Sequence, residues 1–325
     1  MLPPKATLIY NSYVMTAYTQ ISANRFKTWI IMLGFAAFIT GLVYVFTQAL
    51  GFRGPSALGF SGIALIVAGI MNFIAYYNSD KMVMAISGAK QIQKKDNPTL
   101  FRTVENLCIT SGLPMPKIYT IGDSAPNAFA TGRDPQHASI AFTSGIVAKL
   151  TKLELEGVAA HELSHVGNFD TRLLTIVSIL VGTVALLADF FLRMSFYSNR
   201  DRENKGNGLL LMLGIIMAFL APIVAVLIQL AISRKREFLA DASGALLTRN
   251  PDALAEALLK ISQDKDPLEV ANKATAHLYI VNPFHIDSPG NVHPERQRRA
   301  IGWFASLFNT HPPIAERIKA LRAMQ

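Results

Sequence analysis

The chain has 325 residues, 51% of them hydrophobic and only 16% charged, with a formal net charge of +9. Soluble globular chains carry about 25% charged residues, so this one is too apolar for an ordinary soluble domain. The same numbers exclude a disordered chain, a collagen-like repeat and a basic nucleic-acid-binding tail. Cys108 is the single cysteine, which rules out an intrachain disulfide framework and fits a reducing compartment.

In chain order the hydrophobicity gathers into four stretches, 29–50, 57–77, 173–192 and 208–232. Each is long enough, at about 1.5 Å per helical residue, to cross a hydrocarbon core of ~30 Å. The first two read as a transmembrane hairpin. Arg53 is the one charge in their connector, and Trp29, Tyr76 and Tyr77 stand where interfacial aromatics are expected. The 28 residues ahead of the first stretch, and its length beyond the ~7 to 15 residues of a signal-peptide core, mark a retained anchor. The third stretch meets Asp189 near its end and the fourth contains Pro222. Two further spans are expected, with a buried or re-entrant hairpin as the other reading.

Segments 1–28, 78–172 and 233–325 together hold 26 of the 31 Lys and Arg residues, and Arg234, Lys235 and Arg236 abut the fourth stretch. The positive-inside rule makes that side cytoplasmic. The expected division is a cytoplasmic tail (1–28), a membrane hairpin (29–77), a first half-domain (78–172), a second apolar hairpin (173–232) and a second half-domain (233–325). Either half alone has a thin core, so the two are expected to pack as one domain.

The chemistry begins at Thr151 and Glu154, in capping-box spacing at the start of a helix. That helix carries His161-Glu162-Leu163-Ser164-His165, a pattern expected by chance about 0.005 times in a chain of this composition. Histidines at i and i+4 share a face, so both imidazoles reach one zinc ion, and Glu162 beside them suits a general base. A catalytic zinc needs a third protein ligand. Glu237, with Asp241 one turn later, is the candidate, and Asp241 is placed to accept a hydrogen bond from the second nitrogen of a ligating histidine, His161 in particular. The other reading of this pair is a solvated helix opposing Arg234 and Arg236.

Asn127 opens Asn-Ala-Phe-Ala-Thr-Gly, and after Asp134-Pro135 comes a strand-like run, 138–144, expected to hold an extended peptide by backbone bonds. His311 precedes Pro312-Pro313 and an amphipathic helix over 314–323, where a lone histidine more commonly caps or lies at the surface. His137, His277, His285 and His293 lack partner spacing. Arg296, Arg298 and Arg299 read as a solvated basic face, with anionic-lipid contact the sharper alternative.

Two N-terminal spans, Asn127-Ala-Phe-Ala, His161-Glu-Leu-Ser-His165, an apolar pair, Glu237-Phe-Leu-Ala-Asp241 and Thr310-His-Pro-Pro313, in that order, resemble the HtpX family of integral-membrane zinc metallopeptidases, related to CAAX-prenyl endopeptidases. The resemblance runs from about Arg25 onward. It implies a mainly α membrane protein with four transmembrane helices and a cytoplasmic, gluzincin-like zinc metalloprotease domain containing a small β-sheet. It further implies one Zn2+ per chain held by His161, His165 and Glu237, with Glu162 as base and Asn127 and His311 near the substrate. The expected role is cleavage of misfolded or damaged membrane proteins at a bacterial-type inner membrane during stress, with unfolded clients and the lipid bilayer as partners and no nucleic acid. No functional residue is carried over into residues 1–24. A CAAX-type processing peptidase and a zinc-binding chaperone that holds clients without cutting are the alternatives. A metal transporter would place ionisable residues inside the spans, and Asp189 alone is too little.

Overall fold

The computed structural model describes residues 22, 24, 26–41, 43–44, 54–183, 234–270, 275–281 and 312–324. Stretch 208–232, residues 184–192 of the third stretch, His311 and the Arg296–Arg299 cluster lie outside the described residues.

Two apolar helices come first, α1 (Phe26–Gly41) and α2 (Pro55–Ile86). In α2 the span Leu58–Ile86 has mean hydropathy 2.1 in its most apolar window, and only 22% of that window is buried. A core helix of a soluble protein would be covered. Here Leu58, Ile63, Ile66, Ile70 and Phe73 face outward along the whole length, a surface that fits lipid. Among the described residues α2 is the one helix long and apolar enough to cross a membrane, and α1 is shorter. The expectation of four spans is therefore supported at this level for the second stretch alone. Asn72 Nδ2 donates to the Met32 carbonyl (3.1 Å), joining the two helices. At Asn78 (φ −114°, ψ 16°) α2 kinks, and beyond the kink Ser79, Asp80, Val83 and Met84 are buried, so the membrane helix runs on into the domain expected to start there.

The sheet has four strands, β1 (Lys90–Gln91), β2 (Lys117–Ile121), β3 (Ala128–Gly132) and β4 (Ala138–Thr143), in the order β1-β2-β4-β3. β2 and β4 run parallel, with Ile118 opposite Ile140, while β3 and β4 are antiparallel, with Phe129 opposite Ala141. This corrects the expectation that 138–144 offers a free strand. β4 is paired on both sides and buried throughout, so its backbone groups are already taken. Among the described residues the edge strands are β1 and β3, and of the two it is β3, the strand that follows Asn127, that packs on the helix Lys152–Gly167.

The helices start and stop where local chemistry dictates. Asn97 caps α3 (Pro98–Ser111) by accepting the Leu100 N–H (3.0 Å), Pro98 supplies the preset first φ, and Gly112 ends the helix at φ 69°. The same Asn-Pro start recurs at Asn250 for α8 (Pro251–Gln263). Between them come α4 (Ser144–Lys149), α5 (Lys152–Gly167), α6 (170–183) and α7 (Arg234–Thr248), and α9 (Ile314–Arg322) follows at the end.

α5 lies at the centre, packed on α3, α7, α8 and β3, with Val158, Ala159, Ala160 and Leu163 fully buried. Small residues let α7 and α8 approach it. A Cβ on Gly244 would stand 3.0 Å from the His161 nitrogen and 3.2 Å from its Cα, and backbone does not yield. Gly244→Ala is expected to destabilise by about 1–3 kcal/mol, measurable by thermal unfolding in detergent. Cys108, buried in α3, has its thiol pushed up to about 11 by burial. At pH 8 its thiolate population is then roughly 100-fold below that of an ordinary thiol, and a thiol-disulfide reagent is expected to label the folded protein correspondingly slowly.

Candidate metal centre

α5 opens with a closed capping box. Thr151 Oγ1 accepts the Glu154 N–H (3.4 Å), and Glu154 Oε2 accepts the Thr151 N–H (2.8 Å) and a bond from Lys260 (2.8 Å). About three helical turns later, 3.6-residue periodicity stacks His161 over His165 on one face. Their Nε2 atoms are 3.2 Å apart. From α7, Glu237 brings Oε1 to 3.5 Å from His165 Nε2 and Oε2 to 3.9 Å from His161 Nε2. All three side chains are buried, with one potential ligand atom from each within 4.8 Å of the others.

Each histidine is oriented from behind. Asp241 Oδ1 lies 2.9 Å from His161 Nδ1, and Asp170 Oδ2 lies 3.1 Å from His165 Nδ1. With Nδ1–H donating outward, both Nε2 lone pairs point inward at each other and at the Glu237 carboxylate. Asp241 is clamped by Arg317, whose Nε and Nη2 donate to its two oxygens (2.8 and 2.7 Å). Arg317 also donates to the Ile280 carbonyl (3.1 Å) and approaches Glu237 Oε2 (3.7 Å). Asp170 reaches His165 through a turn in which Phe169 takes φ 58°, a left-handed conformation costing on the order of 1–3 kcal/mol for a residue with a Cβ.

Burial is the largest single influence on each group, and at His165 and Asp241 their partners together reverse it. It lowers His161 to about 4 against the opposing pull of Asp241. At His165 burial also acts to lower the value, but the Asp170 hydrogen bond and the charges of Glu237, Asp170 and Glu162 outweigh it and raise the group to about 9. Burial likewise acts to raise Asp241, yet Arg317 and His161 hold it down at about 2. Glu162 is raised to about 7, by burial first and the Glu237 charge second, with His165, Arg317 and a hydrogen bond from the Ala130 backbone opposing.

The donor set fits a metal. Two inward imidazole nitrogens and a carboxylate, all buried, gather three potential ligand atoms around one point where a cation would sit. Bonds of ~2.0–2.1 Å at tetrahedral angles need ligand atoms about 3.3 Å apart, and separations of 3.2, 3.5 and 3.9 Å lie close to that. The cavity beside the cluster has a volume of about 10 Å³ and is lined by Glu162, Thr171, Leu174, His277, Leu278 and Ile280 among others. That is about what one water needs. The roof is segment 275–281, whose Ile280 N–H donates to the Ala128 carbonyl (3.0 Å) at the β3 edge.

Of the residues singled out in the sequence, His161, Glu162, His165, Glu237 and Asp241 meet here. Asn127 does not line the cavity. Its Nδ2 donates to the Val281 carbonyl (2.9 Å), pinning the roof to β3. His311 is outside the described residues. Sequence reasoning missed Arg317, Asp170, His277 and Asn24. The first carried a signal: Ile314, Arg317, Ile318 and Leu321 follow i, i+3, i+4, i+7 spacing, so Arg317 is a charge on the apolar stripe of its helix. His277, whose Nε2 is 3.1 Å from Ser178 Oγ, had no such spacing.

Residues 94–325 match the family described as Peptidase family M48. A Protease HtpX homolog of Dictyoglomus thermophilum is 41% identical over 311 residues, covering 95% of each chain. One of Tropheryma whipplei is 43% identical over 312 residues, covering 94% of this chain and 98% of the relative. One of Thermoanaerobacter pseudethanolicus is 38% identical over 316 residues, covering 95% and 98%. The solved structure of S. mikatae Ste24p is 20% identical, with the alignment covering 92% of this chain and 67% of that one at a TM-score of 0.46.

Proposed function

This chain belongs to peptidase family M48 and is a metallopeptidase, and on that premise we propose that it is a membrane-anchored, zinc-dependent endopeptidase that cuts misfolded or damaged membrane proteins on the cytoplasmic side of a bacterial-type inner membrane. The observation that carries this reading is the convergence of His161, His165 and Glu237 beside Glu162 in one buried cavity. His161, His165 and Glu237 would hold one zinc ion, which would supply a Lewis acid for the scissile carbonyl and the attacking water. Glu162 takes the proton of that water on its carboxylate and returns it to the leaving amine. Asp241 and Asp170 keep the two imidazoles in the ligating tautomer.

A client in extended form pairs with the β3 edge, taking over the Ala128 carbonyl from Ile280 once segment 275–281 has moved aside. Asn127, at the head of β3, then lies beside the client, and the family resemblance supports a place near the substrate for His311 as well. The distribution of basic residues supports a cytoplasmic site. The apolar stretches support four spans that divide the polar segments as 78–172 and 233–325.

The test uses protein purified in detergent, stripped with a zinc chelator and reloaded. We expect one zinc per chain by elemental analysis, with cleavage of casein or a misfolded membrane client lost on stripping and regained with zinc. Stoichiometric zinc with every client bound but uncut would replace this reading with a holding chaperone.

A further inference from the structure

The apolar helix α1 begins beside the metal centre. Asn24, just ahead of α1 and 1% exposed, uses both ends of its amide. Nδ2 donates to Asp170 Oδ1 (2.8 Å) and Oδ1 accepts from Arg236 Nη1 (3.0 Å). The other Asp170 oxygen is the one facing His165 Nδ1 (3.1 Å), and Arg236 immediately precedes Glu237. One side chain thus joins the neighbours of two of the three metal-binding residues, across 146 and 212 positions of sequence.

The chemistry of the link is particular to an amide. A carboxylate at position 24 would set like charge against Asp170, an ammonium would set like charge against Arg236, and a methyl would satisfy neither. Asn24 is itself held, because Thr28 Oγ1 donates to its carbonyl (2.8 Å) and α1 is bonded to α2 through Asn72 and Met32 (3.1 Å). Without the amide, Asp170 Oδ1 keeps Arg236 Nε at 3.7 Å, a long contact for a buried carboxylate. The carboxylate is then free to turn from His165 towards the guanidinium.

We propose that Asn24 is a positioning residue for the metal centre, orienting Asp170 and through it His165 while holding Arg236 beside Glu237, so that metal affinity depends on how the N-terminal helix α1 is seated. This rests on the zinc-peptidase reading above.

The experiment uses the full chain in detergent, with Glu162→Gln as background so that no turnover occurs. Zinc affinity is read by competition with a chromophoric chelator, and ligand geometry by the visible absorption of the cobalt form. Asn24→Ala is expected to weaken zinc about tenfold, the low end of the 10- to 100-fold carried by outer partners of metal ligands, and to shift the cobalt bands. Asn24→Asp is expected to lose more than Asn24→Ala, and Asn24→Ser, which keeps a shorter donor and acceptor, to lose less. Combined with Asp170→Ala, the Asn24→Ala loss is expected to shrink to the part carried through Arg236 and Glu237, because the route through His165 is already broken. Zinc affinity within twofold of the background with an unchanged cobalt spectrum overturns the proposal, even if the unfolding temperature falls. Fully additive losses with Asp170→Ala overturn it too. If the wild-type chain itself takes up no stoichiometric zinc, the proposed function fails first and this inference with it.

Discussion

Glu162→Gln is expected to lower kcat/KM on an unfolded client by at least 10²- to 10⁴-fold, roughly what a positioned general acid–base group contributes, while leaving one zinc per chain. The separation of effects follows from geometry. His161, His165 and Glu237 hold the mutually facing ligand atoms, whereas Glu162 lines the cavity and is not one of the three. Glutamine keeps the side chain's size and removes its capacity to carry the proton. Single-turnover cleavage alongside elemental analysis measures both quantities. Cleavage within tenfold of wild type would remove Glu162 from the mechanism, and loss of zinc would make it part of the ligand set.

Arg317→Met is expected to cost about 3–5 kcal/mol in stability, because it strands a buried carboxylate without its partner. Arg317 has 0% exposure and makes two short bonds to Asp241, whose own exposure is also 0%. The same substitution deprives the Ile280 carbonyl of a donor, so the roof over the cavity loosens as well. Adding Asp241→Asn is expected to recover part of the loss by removing the stranded charge, although His161 then loses its charged acceptor. Urea unfolding of the single and double variants measures the difference. A cost under about 1 kcal/mol for Arg317→Met would show that Asp241 is held by other means.

Much of the site was legible because its signals are local. Thr151 and Glu154 announce a helix start, and histidines at 161 and 165 must share its face whatever surrounds them. The apolar run of α2 was equally plain, since membrane length is a count along the chain. Glu237 was identifiable as an acidic residue on a helix with Asp241, but its reach to the histidines depends on α7 lying against α5 at Gly244. The strand at 138–143 was recognised as a strand and misjudged as an edge. Alternating or continuous apolar character reports burial of side chains and is silent about which neighbours take the backbone bonds.

By itself the sequence determined what repeats at short range: the capped helix with its His-Glu-x-x-His face, the apolar anchor and the amphipathic helix at the C-terminal end. Tertiary structure alone decided that β3 rather than β4 is an edge strand, that residues 275–281 roof the cavity, and that Asp170, Arg317 and Asn24 stand behind the metal-binding side chains. These contacts join residues as far apart as positions 24 and 236. No periodicity along a chain encodes such pairs. They arise when helices pack closely enough to exclude water, and every buried charge must then find its partner in whatever element the packing brings alongside.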